Sequence, residues 1–567
     1  MDRSGHYYDQ RERSTLMVSP ADMDHPQHKH EIFAPQNDIV KSRVDQCIQR
    51  LHDAGLIVSG TGAEGETTGA CLNMHVDAAR WSDAAVVARY CALRWSALWA
   101  EQCGDLIRVM TLFAGRDGHL LLSTQISVAH PELPSIAEVY PNADRPERHI
   151  QDMYGIRFNE HPDPRPWTRH QAWSATEFPL RKEFPLNGYP PADTPTDHTY
   201  PFIKMEGEDI YEVPVGPVHA GIIEPGHFRF HTIGEDMLRL EEHLGYVHKG
   251  IEKIAEGRDI SGLLRLAARV SGDSTIAHSW AAAQAVEHAL GVEVPPRALA
   301  LRAILAERER IANHCGDIGA ICNDVGFTFA MVQFSTLRER IQRLNKKLFG
   351  HRLLMDGIVM GGVNCDLDAD GIAAMLEEQK MLHAEVAELM PMILEYPSLQ
   401  DRLRTTGILP HETAARLGAL GYVGRASNID YDLRRDAPYP PYLNLKIEVP
   451  VYSEGDVAKR TRVRGDEILV ATELITILLN TLPQGAIVAD NTPEYCDASG
   501  IGLVEGWRGE TVAYVHLNAQ GKVERYFPRD PSWLNWPALE GLIHGNIIPD
   551  FPVCNKSVNG SYSGHDL

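Results

Sequence analysis

The chain has 567 residues, 44% hydrophobic and 23% charged, an ordinary globular composition with room for two to four cores. Against 54 Lys+Arg stand 77 Asp+Glu, and a net charge of −23 argues against a nucleic-acid partner. No stretch reaches the ~18 uninterrupted apolar residues of a membrane span. The polar residues 1–35 lack the apolar core of a signal peptide and are expected to be a disordered lead-in.

Residues 36–182 mix helix and strand. The patterns predict a helix over 36–54, strands over 55–59, 70–76, 106–114 and 120–128, and one long helix over 79–102. Such an order makes an α+β domain. The string Gly60-Thr-Gly-Ala-Glu-Gly65 has the spacing of a dinucleotide-binding loop. That loop must open a helix, whereas the residues after Gly65 predict a turn and another strand, so a hairpin is expected and no NAD site. Residues 183–208 are crowded with Pro, Asp and Thr, the composition of a linker.

From 209 to 567 the chain is predicted mainly α-helical with small β-hairpins. Leu244, Val247, Ile251 and Ile254 form one helical stripe. Further helices are expected over 278–290, 296–323, 334–349, 370–394, 412–420 and 464–482, and a hairpin over 512–517 and 522–526. None of the nine cysteines forms a CxxC pair, which fits free thiols in a reducing cytoplasm and no iron–sulfur cluster or zinc ribbon in this chain. Cys315 and Cys322 share a helical stripe with Ile304, Ile311 and Ile318 and are expected as core thiols. Arg434, Arg435, Arg460, Arg462 and Arg464 are expected at the surface or an interface.

Two segments carry the functional argument. Arg269-Val-Ser-Gly-Asp-Ser-Thr-Ile-Ala-His278 has the frame R-V-C-G-x-C-x-x-A-H with Ser271 and Ser274 at the cysteine positions. Asn559-Gly-Ser-Tyr-Ser-Gly-His-Asp-Leu567 has the frame D-P-C-x-x-C with Ser561 and Gly564 at the cysteine positions. The intact frames resemble the two nickel-binding motifs of the [NiFe] hydrogenase large subunit. Such a centre needs four soft thiolates. A serine hydroxyl is hard and stays protonated, and glycine offers no donor, so the expectation is a hydrogenase scaffold without a nickel–iron centre.

Other segments resemble respiratory complex I. Asp152-Met-Tyr-Gly-Ile156 and His161-Pro-Asp163 resemble its 30 kDa subunit, with His149 where that family writes glutamate. Gly216-Pro-Val-His219, Glu224-Pro-Gly-His-Phe-Arg229, the run from His243 to Glu256 and Arg425-Ala-Ser-Asn-Ile-Asp430 resemble its 49 kDa subunit and, more closely, the large subunit of group 4 membrane-bound hydrogenases. Trp507-Arg-Gly-Glu510 is similar to a Pro-Arg-Gly-Glu in that family. The formate hydrogenlyase and hydrogenase-4 type carries both pieces fused in this order.

The resemblance implies an oxidoreductase subunit at the inner face of a bacterial cell membrane, on the cytoplasmic side. Its implied partners are a small iron–sulfur subunit and antiporter-like and other membrane subunits. Hydrogenase activity itself is not expected. The 49 kDa family binds a quinone through a hairpin histidine and a tyrosine. Here the histidine is His219 or His227, and the tyrosine position falls on Gly272, so a quinone is an optional ligand beside Gly272 and His278. Glu224 and Glu252 are placed as proton-relay carboxylates, Glu252 otherwise lying on a solvated helix face near Lys249. Ser271, Asp273, Ser274, His278, Ser561 and His565 are expected to form a hydrogen-bonded plug if the two motifs meet, with a hard cation such as Mg²⁺ as the alternative. The competing function is a structural or assembly subunit that bridges iron–sulfur and membrane partners.

Overall fold

A computed structural model describes residues 42–58, 67–68, 71–169, 173–174, 176–189, 200–218, 223–490 and 493–567. The lead-in, the glycine string at 60–65, the middle of the predicted linker and His219 lie outside the described residues.

The first part is built on a five-stranded sheet in the order Thr67–Thr68, Cys71–His75, His119–Ser127, Leu106–Ala114, Arg94–Cys103. Cys71–His75 and His119–Ser127 run parallel; the other pairs are antiparallel. Side chains alternate across a strand, and here both faces are buried. Leu98, Ala100, Val109 and Leu122 pack under the helices Arg43–Asp53, Trp81–Tyr90 and Asp144–Tyr154. Ala97, Trp99, Met110 and Leu121 enter the core of the second part. The helix expected over 79–102 therefore ends at Tyr90, with Ala92 at φ 53°, and 94–103 is a strand paired along Leu106–Ala114. A strand buried on both faces shows no period-2 alternation, so its apolar run passes for helix.

The second part has long helices at Thr275–Leu290, Pro296–Asp324, Thr328–Phe349, Ala369–Glu395 and Val457–Asn480, each overlapping an expected one. The stripe from Leu244 to Ile254 is helical only over Ile251–Ala255, because Gly245 (φ 102°) and Gly250 (φ 69°) take backbone conformations that close off a longer helix. The expected hairpin is two strands of a three-stranded antiparallel sheet, Ala498–Gly506, Gly509–Leu517 and Val523–Arg529. Thr275–Leu290 lies directly on it: a Cβ at Gly500 or Gly502 would meet Ala285 O at 2.0 Å or Ala281 O at 1.9 Å. A second three-stranded sheet, Ile210–Val215, His227–Ile233 and Asp236–His243, packs Phe228 and Phe230 on Phe551.

The long helix Pro296–Asp324 is lined with buried charge. Glu307 pairs with Arg310 and Arg434, Arg308 with Glu378, and Asp317 with Arg464. Arg434, Arg460 and Arg464, expected at the surface or an interface, are thus core residues, while Arg435 and Arg462 are half-buried. Their guanidiniums are tolerated there because acidic partners or carbonyls take their N–H groups. Cys315 and Cys322 are fully buried on the expected stripe.

The two parts meet through charge as well as apolar surface. Glu510 is fully buried and accepts Arg94 at 2.7 Å, Ser96 at 2.6 Å, Arg529 at 2.6 Å and Tyr431 at 2.7 Å. Trp99 of the first sheet stacks on Phe527, ring centroids 5.3 Å apart.

Candidate functional site

The two motifs meet. Ser271 follows the helix Ile260–Ala267, and Ser561 caps the short helix Tyr562–Asp566 by accepting Gly564 N–H at 2.9 Å. Their hydroxyl oxygens are 2.8 Å apart. Ser271 donates its single proton to Asp273 Oδ1 at 2.7 Å, so the Ser561 hydroxyl donates to Ser271. Arg508, in the turn between Gly506 and Gly509, grips the same carboxylate with two bonds of 2.8 and 2.7 Å. Its guanidinium lies 3.9 Å over the Trp507 ring. Ser274 accepts from Trp507 Nε1 at 3.0 Å and from Arg508 at 3.1 Å. Burial pushes the Asp273 carboxyl up, but Arg508 and the Ser271 hydroxyl outweigh it and hold it below the usual carboxylate range.

The fourth position is closed sterically. A Cβ at 564 would stand 2.6 Å from Asp530 Oδ2, so the Asp530 carboxylate fills the place of the side chain that glycine lacks. Asp530 is held by His278 Nε2 at 2.8 Å and by Ser532 N–H at 2.8 Å. Burial opposes its ionisation, yet His278 and Arg508 keep its carboxyl far below the ordinary range. These donors do not suit a soft dinuclear metal centre: three hydroxyls are committed to hydrogen bonds and the fourth position is a carboxylate's footprint. Among the described residues no three His, Cys, Asp or Glu side chains stand together as a cation site.

The expected set is therefore partly assembled. Ser271, Asp273, Ser274 and Ser561 are joined directly, and His278 joins through Asp530. His565 turns away: it pairs with Asp566 at 3.0 Å and stacks on Trp533 at 4.3 Å. Gly272 is exposed, and nothing lies within 4 Å of where its Cβ would be. His227 is buried, donates from Nδ1 to Gly216 O at 3.0 Å, and keeps a buried Nε2 with no partner among the described residues. Burial lowers its pKa, so that nitrogen is a ready acceptor. Glu224 is exposed and accepts Ser563 N–H at 3.0 Å, beside the second motif.

Glu252 departs from the solvated-face alternative and from pairing with Lys249. It is buried, with Arg525 at 2.5 Å on one oxygen and His149 Nε2 at 2.9 Å on the other. Burial raises its pKa, but Arg525 and His149 bring it down to about 2, so it carries no proton near neutrality and serves as an anchor between the two parts. Lys249 turns instead to Ser563 and Val270. Sequence reasoning misses Arg508, Trp507, Asp530 and Ser532 as site residues. The motif containing Trp507 and Arg508 is visible in the chain; no local signal marks Asp530.

Comparison with known proteins agrees with this layout. The model of the respiratory-chain NADH dehydrogenase 30 Kd subunit matches residues 74–190, and that of the 49 Kd subunit matches 324–499. A nickel-dependent hydrogenase model matches 249–316, the stretch that includes the first motif. Hydrogenase-4 component G of Escherichia coli is 34% identical over 77% of this chain and 76% of its own length. Formate hydrogenlyase subunit 5 of the same organism is 32% identical over 81% of both chains. The carbon monoxide-induced hydrogenase of Rhodospirillum rubrum is 33% identical over 62% of this chain and 97% of its own. Among solved structures, the membrane-bound sulfane sulfur reductase, an archaeal respiratory membrane complex, aligns with TM-score 0.60 and 26% identity over 64% of this chain and 99% of its own.

Proposed function

Since the chain belongs to the family of hydrogenase-4 component G and formate hydrogenlyase subunit 5, with their complex I 30 and 49 kDa-like pieces, we propose that it is the peripheral redox subunit of a membrane complex that uses no nickel–iron centre. It takes electrons from a small iron–sulfur subunit, passes them to an acceptor other than the proton, and couples this to ion movement in antiporter-like membrane subunits. The observation that carries the reading is the closure of the four ligand positions by Ser271, Ser274, Ser561 and Asp530. The Nε2 of His227, without a partner among the described residues, supports a quinone-like acceptor that offers a hydrogen-bond donor in one of its redox states. Among the described residues no helix is long and apolar enough to cross a membrane.

The hydrogen bonds that commit the hydroxyls of Ser271, Ser274 and Ser561 favour a second reading, a bridging subunit with a closed pocket. Two measurements on the purified complex decide. Elemental analysis is expected to give nickel far below one atom per chain, with no hydrogen uptake or evolution; stoichiometric nickel would overturn the reading. Reduction of a soluble quinone that falls on His227→Ala supports the redox role, and its absence in the intact complex leaves the bridging role.

A further inference from the structure

Among the described residues, one buried acid near the plug belongs to no ion pair. Glu309 sits mid-way along Pro296–Asp324 and points at the start of Thr275–Leu290. It accepts Ile276 N–H at 2.7 Å and Ala277 N–H at 3.2 Å, two of the donors that a helix start leaves unpaired. Beside it is a cavity of about 20 Å³ lined by Gly272, Asp273, Glu309, Asn313, Gln342 and Arg352. Much of its wall is apolar, from Ala312, Leu353 and Leu354, and the space is about that of one water molecule beside the Asp273 and Glu309 carboxylates. Gly272 and Arg352 bring its mouth to solvent. At its inner wall, Asp273 continues into the chain Ser271 to Ser561.

The charges around Glu309 are otherwise committed. Arg310 on its own helix pairs with Glu307 and Glu467, and Arg308 with Glu378. Arg508, from the turn after Gly506, is bound to Asp273, and Arg352, beyond Thr328–Phe349, to Glu339. Asn313 donates to Asp273 O and to its own helix. Burial, with Asp273 adding to it, pushes the Glu309 carboxyl up to about 8 against the pull of its two backbone N–H groups and Arg310. An acid poised there gives up and regains a proton near neutral pH.

We propose that Glu309 is the proton-holding group that serves the solvent-facing edge of the first motif at Gly272 and Asp273, by way of the small cavity that the three residues share. The proposal rests on the redox reading above. For each proton an acceptor takes up there, one leaves Glu309 across the cavity and one returns from solvent past Gly272. The electrons come from the iron–sulfur partner, and none pass through Glu309. The route is separate from Glu224 and from Glu252, which is ionised throughout the neutral range.

The test uses Glu309→Gln, which keeps an oxygen for the helix N–H groups, and Glu309→Asp. Infrared spectra of the full chain are expected to show a protonated-carboxyl band that titrates at about 8 and is missing in Glu309→Gln. In the assembled complex, Glu309→Gln is expected to slow acceptor reduction on the order of 100-fold and to remove the alkaline fall of the pH profile, with Glu309→Asp restoring part of both. A merely structural role would leave the profile's shape unchanged. Absence of the band in the wild type, or an unaltered rate and profile in Glu309→Gln, overturns the relay alone. A wild-type complex that reduces no acceptor overturns the parent reading and the relay with it.

Discussion

Gly564 shows how one absent side chain organises its surroundings. Its missing Cβ is the space that Asp530 occupies. Gly564→Ala is expected to destabilise by about 1–3 kcal/mol through overpacking, read as a lower melting temperature. The cost should shrink when Asp530→Ala is added, and additive costs in that double-mutant cycle would show that the two residues do not compete. Arg508→Ala is expected to cost about 1–3 kcal/mol, because it removes two charge-assisted hydrogen bonds from a carboxylate that is partly open to solvent. Its pH signature follows from Asp273, whose folded pKa is lowered. The stabilisation is present above the unfolded carboxylate range and is lost as pH falls, so wild type and Arg508→Ala should converge in denaturant titrations under acid. For Glu309 the sign reverses. Its folded pKa of about 8 exceeds the unfolded value, so its contribution is full in acid and is lost as pH rises to about 8. Glu309→Gln should gain on wild type over that window. The ligand positions were legible because each motif keeps its frame. Asp530 was not, because it lies 252 residues from His278 and shares no spacing with either motif.

At the scale of elements, periodicity located every long helix of the second part and failed where burial is two-sided. Arg94–Cys103 is covered on one face by its own helices and on the other by the second part's core, so its sequence lacks the alternation that marks a strand. Ala498–Gly506 was missed for a different reason. Its glycines, which propensity counts against a strand, are what let Thr275–Leu290 approach. Gly502→Ala is therefore expected to be among the most damaging single substitutions, more than about 3 kcal/mol, since the new methyl meets a helix carbonyl at 1.9 Å. Chemical denaturation checks it; a loss under about 1 kcal/mol would mean that the helix can lift off the sheet without penalty.

Across the whole molecule, the two parts are joined by buried ions that each part contributes separately. Arg145 of the first part binds Glu242 and Glu540 of the second, His149 binds Glu252, and Arg94 binds Glu510. His516 of the second part bonds Glu101 of the first, and although burial opposes it, Glu101 and Asp497 raise its pKa to about 9. That link stabilises fully below the unfolded histidine value and is lost as pH rises through about 9. His516→Gln should flatten the stability–pH curve in that window, measured on the full chain. Sequence showed two recognisable pieces but not that they share a core, because the contacts pair residues far apart in the chain, 97 positions for Arg145 with Glu242 and 416 for Arg94 with Glu510. Fusion then has a use at synthesis. A first part made alone would leave Arg94, Arg145 and His149 without these carboxylates, whereas in the second part Glu252 keeps Arg525 and Glu510 keeps Arg529. One continuous polypeptide delivers the two parts in equal numbers, so Arg145 meets Glu242 and Glu540 as the chain folds.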